Sequence, residues 1–298
     1  MSEPAFPEHD YLTVKELAAL LRLKERKIYD LAARGEVPCS RATGKLLFPA
    51  GEIRAWLEGA TSGGVEATAP TAPRPPILLG SHDPLLDWAV RQSQCGLASF
   101  YDGSRDGLER FARREGMAAG LHIHDTVSDH WNIPAVREMA GGLNAVLVGF
   151  ATRRRGLVFR AGGTAPKGLG DLAALRLVPR QAGSGTDTLL RGLADKAGLD
   201  LSKLERTEVA RTEDDAVEAV GRGEGDVAFG LEAVARNYGL EFAPVVEEEF
   251  ALLVDRKAWF EPQMQALMAF CQGAAFKARA ESYGGYDIAA CGAVLWNA

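Results

Sequence analysis

Cysteine is scarce in this chain. The four present, Cys39, Cys95, Cys271 and Cys291, are scattered and form no C-x-x-C pair. That argues against a disulfide framework or a thiolate zinc site and predicts free thiols in a reducing compartment. No apolar run approaches the roughly 18–20 residues that span a bilayer, so no membrane partner is expected. The first residues, MSEPAFPEHDYL, lack a basic n-region and an apolar h-region, so the expectation is no signal peptide and a cytoplasmic location. An excess of positive charge is missing as well. The net charge is −6, so nothing global advertises nucleic acid, although a local basic patch remains open. No G-K-[ST] follows the glycine-rich turns, and there is no G-x-S-x-G elbow or dinucleotide fingerprint. No Ser/His/Asp order and no paired-carboxylate pattern stands out. No enzyme, catalytic residue, metal or cofactor is therefore expected.

What is present divides in two. A chain of 298 residues exceeds the usual size of one domain. Residues 59–76, GATSGGVEATAPTAPRPP, are nearly devoid of large apolar side chains. Such a stretch buries too little surface to offset its ordering entropy and reads as a linker. It separates a small module, residues 1–58, from a large one, residues 77–298.

The small module carries its own punctuation. Thr13 and Glu16 have the spacing of a capping box. Val14, Leu17, Ala18 and Leu21 follow as the apolar stripe of a helix. After a break at Arg22–Leu23, Ile28, Leu31 and Ala32 form the buried face of a second helix, which Gly35 stops. Two short helices joined by a tight turn make a helix-turn-helix pattern. Between residues 22 and 45, Arg22, Lys24, Arg26, Lys27, Arg34, Arg41 and Lys45 face only Glu25, Asp30 and Glu36, a local balance of +4. SRATGKLLFP reads as a hairpin with Arg41 and Lys45 near its tip, and a third helix brings Ile53, Trp56 and Leu57 to the core. A helix in the major groove with a basic hairpin on the phosphates is a DNA-binding geometry. The expected contacts are Lys24, Arg26, Lys27, Tyr29, Arg34, Arg41 and Lys45. The segment resembles the excisionase and MerR-type winged helix-turn-helix over about 48 residues. The plainer alternative is a helical interaction module with a solvated charged face.

In the large module short apolar runs (PILLG, GLASFY, AAGLHI, LRLVPR, DVAFG, FALLV) alternate with helical stripes. That argues for an α/β fold with mostly parallel strands, which bind ligands in the loops leaving strands for helices. Three such loops are rich in Gly and Ser: Gly80-Ser81-His82, Asp102-Gly103-Ser104-Arg105 and Gly183-Ser184-Gly185-Thr186. Three helix N-termini converging on one place suit an anion. Ser81, Ser104, Ser184 and Thr186 are the expected donors. His82, Arg105, His122, Arg180, Gly183 and Gly185 complete the expected ligand site.

These motifs, GSHDP, the Asp102–Arg105 loop, AGLHIHD and RQAGSGT, together resemble the molybdate-binding-like substrate domains of the type II periplasmic-binding-protein superfamily, over roughly residues 77–255. In cytoplasmic regulators such domains are fused to helix-turn-helix modules. The resemblance implies two lobes closing on a small oxyanion, molybdate or tungstate among the possible ligands. It places lobe I at residues 77–150 and 251–298 and lobe II at 151–250, with crossings near LNAVLVGFATRRRGLVF and FAPVVEEEFALLV. The chain departs from that pattern at Asp187, where the family tends to have Arg, and at Glu213, where it often has His.

The reading is therefore a ligand-controlled transcription regulator with double-stranded DNA and a small anion as partners. Because one such head covers only a half-site, a homo-oligomer, dimer or tetramer, is expected. The rivals are a small-molecule-binding protein that does not bind DNA, a metal-ion sensor using His82 and His122 with His124, Asp125 and His130 nearby, and an enzyme on the same scaffold. Arg153-Arg154-Arg155 reads as a solvated hinge turn.

Overall fold

The structure, a computed structural model, describes residues 10–41, 44–59, 73–162 and 165–298. It falls into two compact units, Met1–Ala72 and Pro73–Ala298.

In the first unit β1 (Tyr11–Thr13) leads into α1 (Val14–Leu20) through the expected capping box. The Glu16 amide donates to Thr13 Oγ1, and the Thr13 amide donates to the Glu16 carboxylate at 2.8 Å. α2 (Glu25–Ala33) follows the tight turn, then β2 (Leu47–Pro49) and α3 (Ala50–Gly59). β2 pairs antiparallel with β1, and Ser40 bridges to Leu47 as the start of the hairpin. The hairpin's residues 42–43 lie outside the described residues. Leu12, Leu17, Ile28, Phe48 and Ile53 form the buried core, with Leu31, Trp56 and Leu57 packed against it.

Most of the stretch expected as a linker, residues 60–72, lies outside the described residues. Its far end corrects that expectation. Arg74 is buried, pairs with Asp255 at 2.9 Å, and donates to the Phe111 and Gly116 carbonyls. A guanidinium with that many partners is structure, not tether.

The second unit begins β3 (Ile77–Gly80), α4 (Pro84–Ser93), β4 (Ala98–Tyr101), α5 (Ser104–Ala112) and β5 (Ala118–Leu121). The three strands are parallel in the order β4-β3-β5. A small hairpin, β6 (His124–Asp125) and β7 (His130–Trp131), precedes α6 (Ile133–Ala140). Then comes the long strand β8 (Ala145–Phe159), followed by β9 (Leu177–Val178), α7 (Gly185–Lys196), α8 (Glu213–Arg222), β10 (Val227–Leu231) and α9 (Glu232–Asn237). A second long strand, β11 (Glu241–Asp255), precedes α10 (Pro262–Cys271), α11 (Ala274–Tyr283), β12 (Tyr286–Asp287) and β13 (Val294–Asn297).

β8 and β11 pair antiparallel along their length. The end of β11 pairs with β5, and the end of β8 pairs with β10. One sheet thus runs through both lobes, and these two strands are the crossings between them. Apolar cores flank it on either side: Leu78, Phe150, Phe250 and Phe276 in one lobe, Leu157, Leu177, Val227 and Phe229 in the other. The α/β fold of the large unit, preceded in sequence by a small helix-turn-helix, agrees with the sequence reading. The expectation of mostly parallel strands does not hold, because β8 and β11 run antiparallel to each other and to β10, β5, β12 and β13. Parallel pairing is confined to β4-β3-β5 and β9-β10.

Candidate functional site

Between the lobes lies a cleft of about 610 Å³. One wall carries Ser81, His82, Tyr101 and His122; the other carries Arg155, Arg180, Gly183–Thr186, Arg211 and Glu213.

The first wall is set by close packing at β3. Gly80 has φ +100°, and a Cβ there would come within 2.2 Å of the Gly120 carbonyl oxygen. Only glycine permits that approach and that backbone conformation. Asp83 caps α4, its Oδ1 accepting from the Leu86 amide at 2.7 Å, with Pro84 in the first turn. Ser81 and Ser104 are both buried and share a hydrogen bond of 2.8 Å. The His122 amide donates to Ser104 Oγ at 3.0 Å. Ser104 was expected to meet the ligand; instead it lies behind Ser81 and supports it. Arg105 is exposed and lines a separate small recess with Ser104 and His124, not the cleft.

The second wall is the start of α7. The first amides of a helix have no partner within it, and Gly185 and Thr186 supply two of them. Ser184 is the cap, its hydroxyl accepting from the Asp187 amide at 3.2 Å. Asp187 turns away from the cleft: its carboxylate accepts from the Gly183 amide and from Arg191 at 2.8 Å. Arg180 donates to the Ala210 and Arg211 carbonyls and makes no ion pair among the described residues. Burial lowers its pKa from the ordinary arginine value.

The sequence reading missed the charged centre. Arg153 and Arg155 are not in a solvated turn. They lie within β8, both about 1% exposed. Alternate residues of a strand share a face, so a run read as a turn places two of its three guanidiniums inward. Arg155 makes a two-pronged contact with Glu248, Nε to Oε2 at 2.9 Å and Nη2 to Oε1 at 3.1 Å. Its Nη1 donates to Thr186 Oγ1 at 3.1 Å and to Glu213 Oε2 at 3.0 Å. Arg153 donates to Asp83 at 2.8 Å and also to Glu248. Tyr286 donates to Asp83 at 2.7 Å. Ion pairs therefore run from Asp83, through the crossing strands, to Glu213 at the head of α8. Burial alone would raise the Glu248 pKa, but Arg153 and Arg155 outweigh it and hold the carboxyl well below 4.5. The period-two spacing of Arg153 and Arg155 was the signal available in the sequence.

His82 packs edge-on against Tyr101, and His122 stacks on Phe250 with Nδ1 3.3 Å from Glu248. Burial lowers the His122 pKa below 6.5, against the pull of Glu248. Among the described residues no group of three or more His, Cys, Asp or Glu is placed to hold a metal ion, and no helix is long and apolar enough to cross a membrane.

In the first unit Lys24, Arg26, Lys27, Tyr29 and Arg34 are all exposed around α2, as are Arg41 and Lys45 on the hairpin. Lys24, Arg26 and Lys27 make no ion pair among the described residues, whereas Arg34 lies 3.5 Å from Glu36.

Comparison with known proteins finds two family matches. Residues 87–272 match a PBP superfamily domain and residues 11–61 a helix-turn-helix domain. The chain is 22% identical to the uncharacterized protein YvgK of Bacillus subtilis (strain 168), over 95% of this chain and 97% of that protein. A phosphate ABC transporter substrate-binding protein from Clostridium perfringens, solved with bound phosphate, superposes with a TM-score of 0.52 at 11% identity, covering 70% of this chain and 96% of that one. An OxyR variant of Corynebacterium glutamicum with hydrogen peroxide bound gives 0.50 at 14% identity, covering 90% of each chain. Both structures share the fold.

Proposed function

The chain belongs to the PBP superfamily and carries a helix-turn-helix domain ahead of that part, and on this premise we propose that it is a ligand-responsive transcription regulator. The first unit reads double-stranded DNA with α2 and the basic hairpin. The second senses a small anion in the cleft: a molybdate-like oxyanion or a small organic anion. Ser81, His122, Arg180 and the Gly183–Thr186 turn make the contacts, joined by Arg155. The regulator works as a dimer or tetramer in the cytoplasm, because one head of this size covers a half-site.

The observation that carries this reading is the second wall of the cleft. A capped helix start, the guanidinium of Arg155 and that of Arg180, which makes no ion pair among the described residues, meet there. Helix N-termini and guanidiniums favour negative charge, while Leu231 and Val234 add an apolar margin beside them.

Two measurements test it. A gel-shift with DNA upstream of the chain's own gene should show retardation that is lost without residues 1–60. A thermal-shift panel of oxyanions and small carboxylates should raise the melting point by mass action. No shifted DNA would remove the regulator reading, and no stabilising anion would remove the ligand class.

A further inference from the structure

The cleft already contains a carboxylate in the place an anion would take. Glu213 opens α8, yet its side chain is only 15% exposed. Oε2 accepts from Arg155 Nη1 at 3.0 Å, and Oε1 accepts from the Leu231 amide at 2.5 Å. A guanidinium and a backbone amide are the donor types that bind a free anion. We propose that Glu213 is a built-in occupant of the anion position, which an incoming ligand anion must displace from Arg155. This rests on the anion reading given above and adds to it how the site is regulated.

Donor balance favours displacement over addition. The ion-paired cluster joins Asp83, Glu248 and the half-buried Glu213 to Arg153 and Arg155. Arg155 already commits Nε and Nη2 to Glu248 and Nη1 to Thr186 and Glu213, so a second anion reaches that guanidinium only by taking the place of a partner. Of the three carboxylates, Asp83 and Glu248 are fully buried and each is held by more than one donor side chain. Glu213 alone borders the cleft. It also has somewhere to go. Arg180 lines the same wall without a carboxylate partner among the described residues, and the charge of Glu213 already acts on it. The same carboxylate links Arg155 through Oε2 and the Leu231 amide through Oε1, so a swing of the whole side chain toward Arg180 would release α8 from the end of β10 as well.

A tethered carboxylate competes with free anions at an effective concentration in the millimolar range or above. Removing it leaves a vacancy that a small free carboxylate can fill. Melting points of the full-length protein, Glu213→Ala and Glu213→Gln would be measured in acetate, formate, inorganic phosphate and molybdate, with chloride at matched ionic strength as the reference. Glu213→Ala should melt lower than the parent in chloride and regain most of that loss in roughly 10–100 mM acetate or formate, while the parent gains little. Glu213→Gln keeps the side-chain size and loses the charge. It should bind whichever anion stabilises the parent about tenfold or more tightly, a change of about 1.4 kcal/mol. If Glu213→Ala does not fold, the Gln comparison decides alone. Anion binding by the parent that is unchanged or weaker in Glu213→Gln overturns the displacement and leaves the anion reading standing. No response to any anion in the parent or in either variant overturns the anion reading itself.

Discussion

Gly185 and His122 touch across the cleft: a Cβ added to the glycine would lie 2.5 Å from His122 Cε1 and 2.9 Å from Nε2. Gly185 begins α7 in one lobe, and His122 follows β5 in the other. The ring cannot yield, since it is buried against Phe250 and Glu248. Gly185→Ala should therefore hold the lobes apart. Overpacking costs about 1–3 kcal/mol. If it falls on the closed form, affinity drops roughly 5- to 150-fold, with little change in the ligand-free melting point. Calorimetry beside a melt reads both, and unchanged affinity would show that closure does not need this contact.

Glu248→Gln should be among the most damaging single changes. It removes the one carboxylate that both Arg153 and Arg155 contact, leaving Asp83 to the first and Glu213 to the second. Breaking a buried pair costs about 3–5 kcal/mol, measurable as a lower urea midpoint with an unchanged slope.

Acid should weaken the fold in two stages. The folded-state pKa of His122 is depressed below 6.5, so the unfolded chain takes up a proton first. Its contribution is present above about pH 6.5 and declines as pH falls below that value. Glu248 is depressed below 4.5. Its contribution is intact above that value and is lost as pH falls toward the lower folded-state pKa. Urea midpoints from pH 8 to pH 3 should show both declines, and His122→Gln should abolish only the first.

Ser184→Ala should cost stability as well as ligand affinity, because the hydroxyl caps α7. Loss of such a cap costs about 1 kcal/mol. Asp187→Asn should leave anion affinity nearly unchanged, since its carboxylate is engaged by Gly183 and Arg191. A marked gain in affinity would place that charge in the cleft after all.

On the DNA side, Arg26→Ala or Arg41→Ala should weaken binding to all sequences. Each should also lower the salt slope of log K by about one unit, as loss of one phosphate contact does. An unchanged slope in both would move the interface elsewhere.

Local signals served the sequence reading well. The Thr13/Glu16 box, the Gly35 stop and the Asp83-Pro84 helix start all operate within a few residues, and each is found in the structure. The strand-to-helix loops were equally legible, because Gly and Ser mark them. Pairing between distant residues was not. Ser104 is engaged by Ser81 and His122, 23 and 18 positions away, so nothing local tells a ligand donor from a support. Arg153 and Arg155 look like surface residues until Asp83 and Glu248, 70 and 93–95 positions away, are set beside them.

The two crossing strands, each 15 residues long, have a mechanical consequence. Loose connectors would let the lobes swing freely. A ladder bonded from Glu241–Phe159 to Asp255–Ala145 does not. Rotation of one lobe against the other must be absorbed as extra twist between two tethered strands. It will concentrate at the register shifts, Pro244/Val246 and Phe250/Ala251, since bulges are where a ladder bends and twists most readily. The pair then acts as a torsion spring. Closure of the lobes on a ligand would store part of its free energy as twist in this pair, and that stored twist would favour reopening.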